Sequence, residues 1–149
     1  MRRALPFLLL PALAACGING VPAAEETAKA RWADVEAAYQ RRANLIPNLE
    51  ATVRAASNAE RDVLTQVTEA RASATQVRVS ADQITDPEQM RRFADAQGQL
   101  NGALGRLIAT TEAYPQLRSQ EGFQTFMSQL EGTENRINVS INDYNQAVQ

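Results

Sequence analysis

A 3-4 repeat of apolar residues through the first half of the chain constrains the fold more than any other feature of the sequence. It passes without a phase slip through Trp32, Val35, Tyr39, Arg42, Ile46, Leu49, Val53, Ala56, Glu60, Val63, Val67, Ala70, Ala74 and Val77. A sustained period of 3.5 residues is typical of a helix that packs against other helices along its length. No segment has the alternation of a strand, so we predict an all-α fold, an antiparallel bundle of three to four long helices.

Pro47 lies inside this repeat. A proline removes one backbone donor and clashes with the preceding turn, so a helix either ends or bends there. Ile46 and Leu49 stay in phase on its two sides, and no residues are left over for the loop that a reversal needs. We therefore predict one long first helix from about Glu25 to Val77, kinked at Pro47.

Two charged residues, Arg42 and Glu60, occupy positions of the apolar repeat. Two interpretations are open for each. The side chain lies along the helix seam with its charge in water, or it makes a polar contact that fixes the register of the helices.

Further helices follow a connection at residues 78–85. Asp86, Pro87 and Glu88 predict a helix start, with Asp86 as the N-cap and Pro87 at the first helical position. Pro115 predicts the end of that helix, since the residue before a proline disfavours helical geometry. Ser119 is the expected N-cap of the third helix.

The second helix carries a stripe of small residues, Ala94, Gly98, Gly102, Gly105 and Ala109. Each glycine inside a helix costs about 1 kcal/mol relative to alanine. Close approach of another backbone would offset this cost. We predict that the approaching helix belongs to the same chain, and dimerisation through this stripe is the alternative.

The N-terminus has the pattern of a lipoprotein signal peptide. Two arginines precede an apolar run of 12 residues, from Ala4 to Ala15, which is too short to span a bilayer. It ends in Leu13, Ala14, Ala15 and Cys16, which resemble a bacterial lipobox, and Cys16 is the single cysteine. We predict a signal peptide at 1–15, lipidation with palmitate-type acyl chains at Cys16, a tether at 16–24 and a helical bundle at 25–149.

Two segments resemble signatures of the LemA family. The first comprises Arg41, Arg42, Leu45, Ile46, Pro47, Asn48 and Leu49. The second comprises Glu131, Gly132, Thr133, Glu134, Asn135 and Arg136, followed by Tyr144 and Asn145. The resemblance covers most of the mature chain.

This resemblance implies a bacterial envelope protein with an N-terminal anchor, a helical bundle outside the bilayer and no established enzymatic activity. Two departures from the family pattern are expected to matter. A lipobox stands where the family usually has a membrane helix, and the chain stops at Gln149 where the family usually continues. We therefore expect a lipoprotein-type, C-terminally short member.

Composition excludes several classes of function. The chain has no histidine and one cysteine, which excludes Ser-His and Cys-His catalytic couples and zinc sites that contain histidine. Its formal net charge of −2 does not indicate a nucleic-acid surface. We expect no cofactor, no metal and no catalytic residue, and a lipid-anchored interaction or scaffold module on the extracytoplasmic side of the bacterial envelope.

The alternative is an envelope enzyme, or a protein that binds cell-wall or lipid ligands, using Glu131 and Glu134. These two glutamates and Asn135 offer oxygen ligands to a cation. We favour instead a hydrogen-bond network to the first helix, with Asn44 or Asn48 as partners. Asn48 and Asn135 are expected to satisfy polar groups where helices cross, and Arg41 and Arg42 either meet anionic headgroups or an acidic partner or are simply solvated.

The predicted helix lengths suggest a partner face. A first helix of about 80 Å exceeds what the two later helices, each about 42–45 Å, can cover. Trp32, Val35 and Tyr39 would then form an apolar stripe without cover inside the chain. We therefore expect self-association, or a second envelope protein, at this stripe.

Overall fold

The computed structural model describes residues 20–53, 61–113 and 115–149. Along the chain lie α1 (Gly20–Val53), α2 (Arg61–Gln76), a short 3-10 helix (Ala81–Gln83), α3 (Pro87–Glu112), α4 (Pro115–Arg118) and α5 (Glu121–Ala147). No strand occurs in these three ranges, so the predicted all-α fold is confirmed. The predicted signal peptide, with Leu13, Ala14, Ala15 and Cys16, lies outside the described residues, as does Glu60.

The first helix continues through Pro47, as predicted, but ends at Val53. The chain then returns along α1, because Thr68 of α2 donates a hydrogen bond to Glu50 at 2.7 Å and Arg71 donates to the Ala43 carbonyl at 2.9 Å. The prediction of one helix from Glu25 to Val77 is therefore wrong. A heptad repeat has the same appearance whether it continues along one helix or resumes in an antiparallel neighbour that faces the same core.

The four longer helices form an up-down-up-down bundle. Helix α5 runs antiparallel to α1, since Tyr144 packs on Trp32 near one end and Gly122 lies against Thr52 near the other. Apolar side chains of α1, α2, α3 and α5 fill the main core. Its most deeply buried members are Ile46, Leu49, Val67, Leu100, Leu104 and Leu107.

A second apolar cluster surrounds Trp32 at the N-terminal half of α1. The Trp32 indole donates a hydrogen bond to the Val79 carbonyl at 2.7 Å. Its ring meets Phe93 and Tyr144 edge to face, with centroids 5.3 and 5.2 Å apart. Such edge-to-face pairs stabilise beyond the area that they bury.

The expected partner face is therefore covered inside the chain, and that prediction is wrong. Trp32 is 3% exposed, Val35 is 1% exposed and Tyr39 is half-buried. The geometric argument failed because α1 has 34 residues, about 51 Å, against 26 for α3 and 27 for α5. The segment that follows α2 covers the part of α1 that the shorter α2 does not reach.

The predicted start of α3 is confirmed, and the start of α5 is shifted by one residue. The Asp86 carboxylate accepts hydrogen bonds from the backbone N–H groups of Glu88 and Gln89, at 2.9 and 3.3 Å. Helix α5 takes Gln120 as its N-cap in place of Ser119.

The small-residue stripe of α3 faces outward, which contradicts the predicted close packing within the chain. Gly98, Gly102 and Gly105 are exposed. A Cβ atom built on Gly98 or Gly105 would have no neighbour within 4 Å. Helix α3 packs instead through its heptad positions, Phe93, Leu100, Leu104 and Leu107.

Replacing these exposed glycines should stabilise the bundle. Gly98→Ala and Gly105→Ala should each raise the free energy of unfolding by about 1 kcal/mol, since alanine favours the helix and meets no neighbour. Urea denaturation of the purified chain measures this change.

Gly122→Ala is the matched control, because its Cβ would lie 2.8 Å from the Thr52 hydroxyl oxygen and 3.3 Å from the Thr52 methyl carbon. That hydroxyl donates to the Asn48 carbonyl, so displacing it has a cost. The control should show no gain. Destabilisation by Gly98→Ala would contradict an open face on α3.

Candidate functional site

A buried arginine joins the helices at the level of both family signatures. The Arg42 side chain is 3% exposed. One guanidinium nitrogen donates to Glu134 Oε1 of α5 at 3.0 Å, and the other donates to the Gln97 side-chain and backbone oxygens of α3 at 2.9 and 3.2 Å. Gln97 in turn donates to the Ala74 carbonyl of α2 at 3.1 Å. One network therefore links four helices.

Arg42 thus makes the register-fixing contact, and the alternative of a charge in water is wrong for this residue. Its guanidinium carbon lies 5.1 Å from the centre of the Tyr39 ring, within cation–π range. Burial raises the pKa of the Tyr39 hydroxyl, and the nearby Arg42 charge opposes that rise. Arg42 Nε is buried without a hydrogen-bond partner among the described residues.

The expected partners of this network were different. Asn44, Asn48 and Asn135 are all exposed, so the prediction that asparagines satisfy polar groups at the helix crossing is wrong. Neighbouring helical residues differ in direction by about 100°, so Glu134 faces inward while Asn135 faces out. Gln97 was the member that sequence reasoning did not single out, although it lies on the same side of α3 as the buried Phe93, Leu100 and Leu104.

The two signatures divide between the core and the surface. Their inward members are Arg42 and Glu134 of the network and the apolar side chains Ile46 and Leu49. Tyr144 is half-buried against Trp32, whereas Pro47 and Asn145 are exposed. Most of the remaining members meet in one place, which Asn48 and Glu131 do not line.

That place is an open groove of about 890 Å³ between α1 and α5, here called the signature groove. Both signatures line it. From α1 come Asp34, Ala37, Arg41, Asn44 and Leu45, and from α5 come Gln129, Gly132, Thr133, Asn135, Arg136, Val139 and Asp143.

The proposed carboxylate pair is not a matched pair. Glu134 forms an ion pair with the buried Arg42, whereas Glu131 is exposed to solvent. The two carboxylates therefore lie in different environments. Across the described ranges, no cluster of three histidine, cysteine, aspartate or glutamate residues is arranged to hold a metal ion. The alternative of a cation site at Glu131, Glu134 and Asn135 therefore has no support from this geometry.

A smaller pocket of about 220 Å³ lies on the other side of α1 and includes Glu36, Tyr39 and Gln97. Burial raises the pKa of the Glu36 carboxyl, while a backbone hydrogen bond from Val79 and the charge of Arg78 oppose the rise. Glu36 is only partly buried, and the pocket holds no second carboxylate.

The Arg42 network should contribute strongly to stability. Arg42→Met leaves Glu134 and Gln97 without their donor and should lower the free energy of unfolding by about 1–3 kcal/mol. The partial exposure of Glu134 keeps the loss below that of a fully buried ion pair. Adding Glu134→Gln to Arg42→Met should recover part of the loss, because the unpaired charge is removed.

Arg41→Met is the matched control, since the neighbouring arginine is exposed, and it should stay within about 0.5 kcal/mol of the wild type. Denaturant unfolding of all four proteins measures the differences. Equal effects of the Arg41 and Arg42 substitutions would contradict the network.

Comparison with known proteins agrees with the resemblance of the two signatures. No curated protein matches the chain significantly. The family model of the LemA family matches residues 31–149, which include both signatures, the Arg42 network and the signature groove. This match covers most of the chain, and the chain therefore belongs to the LemA family.

Proposed function

We propose that this protein is a lipid-anchored lipoprotein of the bacterial envelope whose helical bundle acts, without catalysis, as an interaction module. The signature groove is its binding face. Lipid on Cys16 holds the protein at the membrane, with the bundle on the extracytoplasmic side.

The observation that carries this proposal is the division of the two signatures. Their inward members build the core, and Arg41, Gly132, Thr133, Asn135 and Arg136 line one groove, so the same segments support the structure and form a surface. Core packing alone would not require Arg41 and Arg136 to line the same groove. A surface that receives a partner would require it.

An interaction role is favoured over catalysis by the state of the carboxylates. The enzyme alternative needs Glu131 and Glu134 to act on one substrate as acid and base. Glu134 is held by the buried Arg42, and Glu131 lies in water. The groove itself is lined by arginines, amides, small apolar side chains and the two aspartates Asp34 and Asp143, a mixture of charges that suits recognition.

Anchoring by lipid is supported by the N-terminal sequence. Among the described helices, none combines the length and the apolar character needed to cross a bilayer. The apolar run before Cys16 is also too short to span one. Each methylene of an attached acyl chain contributes about 0.8 kcal/mol on insertion, so two or three chains hold a protein firmly.

The anchor is tested by Cys16→Ser in the full chain. The variant should lose incorporation of labelled palmitate and should shift from the membrane to the soluble fraction, because no thiol remains for acylation. Fractionation and labelling in the bacterial host measure both. Arg41→Met, which leaves the lipobox intact, is the control and should stay in the membrane. A Cys16→Ser protein that is processed and retained like the wild type would contradict lipid anchoring.

The binding face is tested by site-specific photo-crosslinking in intact cells. A photoreactive residue at Asn44, inside the signature groove, should give a discrete adduct. The same residue at Asp95, exposed on α3, should not. The Asn44 adduct should weaken at least fivefold with Arg136→Gln. No adduct at Asn44, or equal adducts at both positions, would contradict a role for the groove.

A further inference from the structure

Two arginines line the signature groove from its opposite walls. Arg42 of α1 contacts Glu134 of α5, and this register places Arg41 and Arg136 at the same level of the groove, one on each wall. Both are exposed, and neither forms an ion pair within the described residues. Like charges held at one level repel each other, and an anion between them removes that repulsion. A guanidinium pair is well suited to a carboxylate, which accepts two parallel hydrogen bonds.

The opposite charge lies further along the same groove. Asp34 and Asp143 form the next charged level, with Arg31 between them at 3.6 and 4.0 Å. One arginine against two carboxylates leaves this level with a net charge of −1. Asp34 precedes Arg41 by seven residues, which is about 10 Å along a helix.

Other groups in the groove suit a peptide backbone. The Asn44 oxygen accepts from Gln40, which leaves the Asn44 amide N–H groups to donate to a ligand carbonyl. Leu45 and Val139 add apolar surface on the two walls, and Ala37 and Gly132 leave room.

From this arrangement we infer that the signature groove binds a short extended peptide, with its carboxylate at Arg41 and Arg136 and its ammonium at Asp34 and Asp143. Three extended residues span about 10–11 Å, which matches the separation of the two levels. This inference rests on the proposed function, because it assigns a ligand class to the same groove.

An anionic membrane surface fits the groove less well. Binding to anionic headgroups relies on clusters of several basic residues. Here the two arginines lie within about 10 Å of two carboxylates, which such a surface would repel. A small anion such as phosphate would bind at Arg41 and Arg136 alone, and Asp34 and Asp143 would have no role in binding it.

The test is calorimetric titration of the full-length chain in detergent micelles with tri-alanine as the probe. Tri-alanine amide, which lacks the carboxylate, should bind at least tenfold more weakly. N-acetyl-tri-alanine, which lacks the ammonium, should bind at least fivefold more weakly. Affinity for tri-alanine should fall as salt rises, because exposed charges are screened.

Each substitution in the groove should weaken the binding of only one end of the peptide, either its carboxylate or its ammonium. Arg41→Gln and Arg136→Gln should each weaken tri-alanine at least fivefold and leave the amide unchanged. Asp143→Asn should weaken tri-alanine and leave the acetylated peptide unchanged. Arg106→Gln, an exposed arginine of α3 outside this groove, is the control and should bind like the wild type.

Several outcomes would overturn the inference. These are no binding of tri-alanine, equal binding of its amide, an equal effect of Arg106→Gln, or inorganic phosphate that binds as tightly as the peptide. If tri-alanine fails to bind while the Asn44 crosslink persists in cells, the peptide assignment is wrong and the groove remains an interaction face. If the crosslink is also absent, the proposed function fails with it.

Discussion

The buried guanidinium of Arg42 is the interaction on which the rest of the structure depends. A charged side chain taken out of water is costly unless charged and polar groups surround it. Here a carboxylate from α5, an amide from α3 and the face of Tyr39 meet it together. These groups come from three helices, so the network forms only when α1, α3 and α5 pack in one arrangement. Apolar contacts alone tolerate a shift along a heptad repeat far more easily.

This constraint also sets the outer surface. Once Arg42 contacts Glu134, each residue of α1 has a fixed neighbour on α5, and the walls of the signature groove are aligned. Arg41 lies at the same level of the groove as Arg136, and Asp34 lies at the same level as Asp143. Groups carried on packed helices lose little freedom when a ligand binds, so a groove of this kind is preorganised. The core network and the surface charge pattern are therefore consequences of the same register.

The sequence predicted the helical class, and the 3.5-residue repeat of residues 32–77 marked the inward side of α1 and α2. Asp86 and Pro87 located the start of α3, since capping is a local property. The path of the chain could not be predicted from this repeat. Residues 32–53 and 63–77 continue one repeat, and a repeat of this kind fits either one straight helix or two helices joined by a reversal. A straight helix would leave Trp32 without cover, whereas the reversal buries it. Because the sequence analysis assumed a straight helix, it did not predict the burial of Trp32. The glycine stripe of α3 was also misjudged, because helix interiors tolerate glycine on an open face without any packing reason.

The candidate site shows which sequence signals were informative. A polar residue in an apolar stripe must either reach water or find a partner, and the decision depends on what the facing stripes carry. Gln97 lies among the buried apolar side chains of α3, and Glu134 lies between the buried Leu130 and Ile137 of α5. With Arg42, three polar groups were therefore available to meet at one level. The adjacent Arg41 is turned by about 100° on the same helix and meets no such group. The two neighbouring arginines therefore have different roles. Arg42 joins the helices inside the core, and Arg41 lines the groove, because successive helical residues point in different directions.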